Sequence, residues 1–379
     1  MRIVFCSNFL SAHQRPLCDA LYELTDGHFH FVAGQPFRTE RKRLGWTDAP
    51  APYVIPAYES KDTQHAVMEL VKTADAVIIS GDMDGVVLRT ALDNPNTMVF
   101  RCNERVYKHG RWHVLSPRGW IRFGRGYYRH PKKRLYMLCN GAYVAGDYAL
   151  FGAYWGHCYK WAYFTAVPSL DIETVLAEKA PHRLLWAGRL LDWKHPERAL
   201  EVAAYLKEKQ IPFQLDIVGD GPMRPILQRE IEKRGLGEQV HLLGALPQEE
   251  TYAYMQRAAV FLATSDRQEG WGAVVNEAMS RGCAVVACDA MGSVPYLIKN
   301  GHNGFSYPFR RPKALCRAVE RLLTDDASRH NMGVQAYRTM RDDWTPTLAA
   351  QRLIALITAL QKGEKTPFST GPCSRAEIV

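Results

Sequence analysis

The sequence predicts an α/β protein made of two doubly wound, parallel-sheet domains in tandem. Short apolar runs bounded by Gly, Asp and Pro alternate with amphipathic helical patterns along the chain, as parallel sheets covered on both faces require. The length, 379 residues, suffices for two such units. Hydrophobic residues make up 47% and charged residues 23%, which excludes disorder as the main state, and 28 Gly with 21 Pro exclude a collagen-like chain.

Taken in order, residues 2–6, 28–33, 76–80, 97–100 and 142–145 read as strands of a first sheet. Residues 183–187, 213–218, 239–243, 260–263, 284–287 and 304–307 read as strands of a second. Helical patterns over 197–210, 222–234, 273–281 and 312–323 separate the latter, and a final helix, 347–361, follows the break at Trp344, Thr345 and Pro346. The expected division is an N-terminal domain, 1–168, a C-terminal domain, 169–345, a closing helix, 346–362, and a tail, 363–379, whose composition reads as disordered. The two domains join within 164–182.

No apolar run approaches the roughly 18 residues of a membrane span. The N-terminal apolar run, 3–5, is too short for a signal-peptide core. A cytoplasmic protein is therefore expected. Nine cysteines without a C-x-x-C and 13 scattered histidines argue against disulfides and a zinc site; buried free thiols are expected instead. The net charge of +9 is local: residues 101–134 carry eight Arg and three Lys against the single acid Glu104. A local anionic partner follows.

Three strand-to-helix loops of the second domain carry the chemistry. In the first, Gly188 and Arg189 precede Lys194. A guanidinium fork and an ammonium on one loop suit a diphosphate, although two solvated surface cations would look the same. In the second, Gly219, Asp220, Gly221 and Pro222 make a tight turn. A dinucleotide fingerprint would need a glycine where Arg224 stands and an acid after the next strand, so a hydride-transferring enzyme is disfavoured. In the third, Glu269, Gly270, Trp271 and Gly272 lead into a helix bearing Glu277. The glycines allow close backbone approach, and the two carboxylates can reach different hydroxyls of one polyol. The alternative is that Glu269 merely favours the helix N-terminus and Glu277 is a solvated helix position. All three loops lie at strand carboxyl ends of one domain and so face one cleft.

Together G-R-x4-K, the G-D-G turn and E-G-W-G-x4-E resemble glycosyltransferase family 4 of the GT-B fold, over roughly residues 181–325. The first domain is similar only in layout. Its N-E-R-x-Y-K and S-P-R-G stretches, at 103–108 and 116–119, resemble bacterial surface-polysaccharide members. The resemblance implies two Rossmann-like domains facing a cleft, and transfer of a sugar from a nucleotide sugar to a hydroxyl of a lipid-linked or polysaccharide acceptor. It implies retention of configuration, no metal or other cofactor, and a UDP-sugar as the expected donor. Arg189 and Lys194 would bind the diphosphate and stabilise the leaving group. Glu277 would bind the ribose, Glu269 and the backbone at 270–272 the sugar. The backbone of Gly244, Ala245 and Leu246 would meet the base. Gly188 and Gly219 would line the same donor site.

This sequence departs from the pattern in the first domain. Residues 8–14 lack the usual adjacent glycines, and 101–105 lack the usual His. His13 and Glu104 are the acceptor-side candidates, against purely structural roles. Asp82 and Asp84 spell the metal motif D-x-D of another glycosyltransferase fold; helix capping by Asp82 is the simpler reading. Six aromatics, Tyr107, Trp112, Trp120, Phe123, Tyr127 and Tyr128, interleave the cations of 101–134. That segment fits an anionic inner membrane face, a solvated loop, or single-stranded nucleic acid, the last the least favoured. The rival functions are a nucleotide-sugar epimerase on the same scaffold and a nucleic-acid-binding protein.

Overall fold

The computed structural model describes residues 1–37, 50–81, 84–110, 114–121, 127 and 134–379. The chain forms two units, Met1–Ala166 with Trp344–Val379, and Val167–Asp343. Each is built around one all-parallel sheet with flanking helices.

The first sheet runs β1 (Ile3–Ser7), β2 (Phe29–Ala33), β3 (Val54–Pro56), β4 (Ala76–Ile79), β5 (Met98–Asn103), β6 (Leu135–Asn140) and β7 (Cys158–Trp161) along the chain, in the spatial order β3-β2-β1-β4-β5-β6-β7. The second contains β8 (Ala180–Ala187), β9 (Gln214–Val218), β10 (Val240–Gly244), β11 (Ala258–Ala263), β12 (Ala284–Cys288) and β13 (Phe305–Tyr307), ordered β10-β9-β8-β11-β12-β13. β11 and β12 are buried along their whole length, which explains their unbroken apolar sequences; β1 is buried likewise and is apolar up to Ser7. In both sheets the winding direction reverses beside the first strand, between β1 and β4 and between β8 and β11. Ligands of open α/β sheets bind outside the strand carboxyl ends at such a reversal.

Three readings of the sequence are corrected. Residues 142–145 are not a strand. The strand is β6, just before them; Gly141, at φ 119°, ends it, and the next apolar run turns into the helix Val144–Ala149. Two short apolar runs in succession cannot be told apart by periodicity. The edge strands β3 and β7 were also not anticipated, being only three and four residues long. Finally, residues 363–379 are tied to the fold. Lys160 N donates to Ser374 O at 2.8 Å, Cys373 N to Lys160 O at 2.9 Å, and Ala376 N to Cys158 O at 3.0 Å. The outer edge of β7 offers unpaired backbone groups, and the tail satisfies them. Composition alone misses this because the partner is 200 residues upstream along the chain, to the nearest hundred.

The helix Pro346–Gln361, capped by Thr345, buries Ala349, Ala350, Leu353, Leu356 and Ile357 and packs against the helix Arg15–Leu24. All nine cysteines are buried free thiols.

Candidate active site

In the second unit, the loops after β8 and β11 meet at the reversal of strand order. Trp186 Nε1 donates to Thr264 Oγ1 at 2.8 Å, Thr264 Oγ1 donates to the Lys194 carbonyl at 2.7 Å, and Asp266 N donates to the Trp193 carbonyl at 2.9 Å. This stitching brings Lys194 Nζ within 2.5 Å of Glu269 Oε2, which also accepts from Ser265 Oγ at 3.2 Å. The Lys194 and Glu269 side chains are 16% and 15% exposed, so the pair sits at the surface of the fold without being freely solvated. Arg189 is exposed and makes no ion pair or side-chain hydrogen bond among the described residues. The loop thus offers one committed cation and one uncommitted one.

Gly188, Gly219 and Gly244 form a seam between neighbouring strand ends. Gly188 N donates to Val218 O, and Gly219 N to Gly244 O. A Cβ on Gly219 would lie 1.8 Å from the Gly188 carbonyl oxygen, so only glycine fits there. Ala245, exposed, and Leu246, half-buried, continue from this seam.

Gly272 adopts φ 92° at the start of the helix Ala273–Met279. The loop after β12 clasps this turn: Gly292 N donates to Glu269 O and Ser293 N to Trp271 O. Gly270 is buried. The Trp271 indole points inward, fully buried, and its Nε1 donates to Asn276 Oδ1 at 2.9 Å. Only the backbone of Trp271 is left to face a ligand. Glu277 is not a solvated helix position. It is 9% exposed, and its Oε1 accepts from the Tyr252 hydroxyl at 3.1 Å.

His195, beside Lys194, was not singled out by the sequence patterns. It adopts a left-handed backbone, φ 50°, with Nδ1 2.6 Å from Glu197 Oε1 and Nε2 3.7 Å from Asp266 Oδ2. Burial alone would lower its pKa, but the neighbouring carboxylates of Asp266 and Glu197, the latter hydrogen-bonded to it, outweigh burial and raise it to about 9. The imidazole is therefore a third cation on this loop at neutral pH. Its folded pKa lies above the ordinary 6.5, so its stabilisation is complete below pH 6.5 and is lost as pH rises towards 9. Urea unfolding across this range should show stability declining with pH. His195→Asn, which tolerates the left-handed backbone, should flatten that decline. An unchanged pH slope in the variant would remove His195 as its source.

In the first unit, burial sorts the N-E-R-x-Y-K stretch into two sets. Asp147, fully buried, accepts from Val106 N at 3.0 Å and Tyr107 N at 3.1 Å and faces Arg105 at 3.7 Å. Arg105 also lies over the Tyr143 ring, Asn103 donates to the Tyr148 hydroxyl, and Tyr107 stacks on Phe151. These residues hold the loop. Glu104 and Lys108 face outward, paired at 2.6 Å, and Glu104 Oε1 accepts from the Tyr163 hydroxyl at 3.1 Å. The His13 ring lies 6.1 Å from that of Tyr163. A pocket at the strand carboxyl ends is lined by His13, Ser80, Asn140 and Tyr163, and Asn140 Oδ1 is buried there without a hydrogen-bond partner among the described residues. The structure thus groups His13 with Glu104 through Tyr163. Neither Tyr163 nor Asn140 carries a motif that would have found it.

Asp82 lies outside the described residues, and the helix Asp84–Asp93 begins just after it. Of the basic segment, Trp112, Phe123, Tyr128, Arg111, Arg122, Arg125, Arg129, Lys132 and Lys133 also lie outside them. The rest needs correction. Arg101 and Arg105 are buried, Lys108 is paired with Glu104, and Arg134 donates to the Asn94 carbonyl. Tyr107 and Tyr127 are core residues. Counting charge along a sequence cannot see which cations a fold has already used. Leu115, Trp120 and Ile121 are exposed, as is Arg118. No described helix is long and apolar enough to cross a membrane.

Residues 171–339 match the family described as Glycosyl transferases group 1. An alpha-D-kanosaminyltransferase of Streptomyces kanamyceticus is 35% identical over 153 residues, 40% of this chain and 39% of that protein. The amylovoran biosynthesis glycosyltransferase AmsK of Erwinia amylovora is 28% identical over 185 residues, 48% of this chain and 45% of that protein. The chain thus spans less than half the length of these curated relatives. Among solved structures, Anabaena Alr3699/HepE in complex with UDP and glucose superposes with a TM-score of 0.66 at 15% identity, covering 95% of this chain and 100% of that one. The lipopolysaccharide outer core galactosyltransferase WaaB, in its apo form, gives a TM-score of 0.68 at 14% identity, covering 94% and 99%. The likeness shows that the fold is the two-domain α/β GT-B fold.

Proposed function

We propose that this chain is a glycosyltransferase that moves a sugar from a nucleoside-diphosphate sugar to an acceptor hydroxyl. The observation that carries this reading is the pairing of Lys194 with Glu269 at the β8/β11 reversal, on loops that also carry Arg189 and lead into the helix bearing Glu277. Loss of a nucleoside diphosphate builds negative charge on its terminal phosphate. Fixed cations aimed at that charge stabilise the transition state more than the ground state. Arg189 and Lys194 take this role, with the protonated His195 beside them. Glu269 holds the Lys194 ammonium in place and turns its carboxylate to the sugar hydroxyls. Glu277 takes the ribose, and the turn after β10, at Gly244, Ala245 and Leu246, meets the base. His13 and Glu104 serve the acceptor.

The names of the matched proteins, an amylovoran biosynthesis glycosyltransferase and a UDP and glucose complex, support a glycan or lipid-linked acceptor and a UDP-linked donor. The spacing of Glu269 and Glu277 supports family 4, and with it a retaining transfer that needs no metal. Thermal-shift measurements against uridine, guanosine and adenosine diphosphates and their sugars test the reading. Stabilisation by one base series, persisting in excess chelator, is the expected result. No shift with any of them overturns the assignment, and a shift or turnover lost in chelator and restored by Mn²⁺ or Mg²⁺ overturns metal independence.

The same reading includes docking of residues 101–134 on an anionic membrane face. Leu115, Trp120 and Ile121 supply exposed apolar contacts, and the exposed Arg118 supplies charge beside them. Each basic residue near such a surface contributes about 1 kcal/mol. Wild type should sediment with phosphatidylglycerol vesicles at low salt. Reversal of Arg122, Arg125 and Arg129 to Glu should abolish this and spare transfer to a short soluble acceptor. A wild type that ignores the vesicles removes the membrane from the account.

A further inference from the structure

The carboxylate at Glu277 is supported by a residue on a different helix. Tyr252 lies on the helix Gln248–Arg257, and Glu277 on the helix Ala273–Met279, which packs against it. The Tyr252 hydroxyl donates to Glu277 Oε1 at 3.1 Å. Gln248 Nε2 in turn donates to the Tyr252 hydroxyl oxygen. With that oxygen already accepting one hydrogen bond, its own proton is directed at the carboxylate. The ring is fixed as well: the Arg281 guanidinium carbon stands 3.4 Å from the Tyr252 ring centroid. Arg281 is itself held, Nη1 donating to the Glu277 carbonyl at 3.2 Å and to Ser280 Oγ at 3.0 Å. Arg281 therefore braces both the Tyr252 ring and the backbone of Glu277.

We infer that Tyr252 is a positioning residue for ribose recognition, holding the Glu277 carboxylate in the one orientation that accepts two adjacent hydroxyls. This rests on the proposed role of Glu277 as the ribose ligand. A carboxylate on a helix otherwise rotates about its last torsion, which is broad and poorly defined. A hydrogen bond to one oxygen removes that freedom before the nucleotide arrives, so less ordering is needed on binding. The partner is well suited to stay a donor. Burial, and then the Glu277 charge, hold the phenol well above its ordinary pKa. A tyrosine placed there only to fill space would not need its hydroxyl.

The test measures dissociation constants of uridine, guanosine and adenosine diphosphates and of their 2′,3′-dideoxy forms, for wild type and Tyr252→Phe. Phenylalanine keeps the ring on Arg281 and removes only the hydroxyl, so the fold should survive, as an unchanged melting temperature would show. In wild type the ribose form should bind more tightly than its dideoxy analogue. In Tyr252→Phe that preference should shrink by about fivefold, the affinity for the dideoxy form staying the same. Gln248→Ala should shift the preference in the same direction by less. A structural role alone would weaken both ligands equally and leave their ratio intact, and that result overturns the inference while sparing the role of Glu277. If wild type binds both forms equally, Glu277 is not a ribose ligand and the inference falls with it. Binding of no diphosphate overturns the proposed function itself.

Discussion

Replacing Arg189 by alanine should lower turnover by about two to three orders of magnitude and leave the melting temperature where it was. The size follows from removing one preorganised charge from a developing anion. The absence of a stability cost follows from the structure. Arg189 is exposed and makes no ion pair or side-chain hydrogen bond among the described residues, so the fold loses nothing when it goes. Arg189→Lys should recover only part of the rate, because an ammonium cannot grip two phosphate oxygens as a guanidinium fork does. Lys194→Ala is the instructive contrast. It should cost both rate and stability, since it leaves Glu269 partly buried without its cation. Initial rates with any accepted nucleotide sugar decide the matter. Equal activity of Arg189→Ala and wild type would take Arg189 out of the site.

The second large effect separates the two carboxylates. Glu277→Ala should weaken binding of the free nucleoside diphosphate at least tenfold, because a hydrogen bond to a charged group is lost from the ribose. Glu269→Ala should leave that affinity within a few-fold. Its proposed contact is with the donor sugar, which the diphosphate lacks. Transfer should nevertheless collapse in Glu269→Ala. Calorimetric titration with the diphosphate, set beside single-turnover transfer, reads both quantities. Equal losses of diphosphate affinity in the two variants would refute the division of roles.

Much of this site is visible in local sequence. The strands β8 to β13, the glycine turns after β8 and β9, and the acids at 269 and 277 all announce themselves within a dozen residues. That is the range over which helical and strand periodicity and glycine or proline punctuation act. The first unit is less legible for the same reason. Its edge strands are very short, and apolar runs on either side of Asn140 and Gly141 form a strand and then a buried helical turn.

What the sequence by itself determined is the alternation of strands, loops and helices and the residue types carried by each loop, because these depend on neighbours along the chain. Which residues meet was decided only by the tertiary structure. Lys194 and Glu269 are 75 residues apart and pair because β8 and β11 are adjacent in the sheet. Tyr163 reaches Glu104 across 59 residues, and Tyr252 reaches Glu277 from another helix. The burial of Arg101 and Arg105 and the pairing of the C-terminal segment with β7 likewise depend on elements far away in sequence. Strand order and burial are properties of the whole packed chain. A guanidinium reads alike in sequence whether it faces a phosphate, a membrane or the interior, and only the groups packed around it decide which.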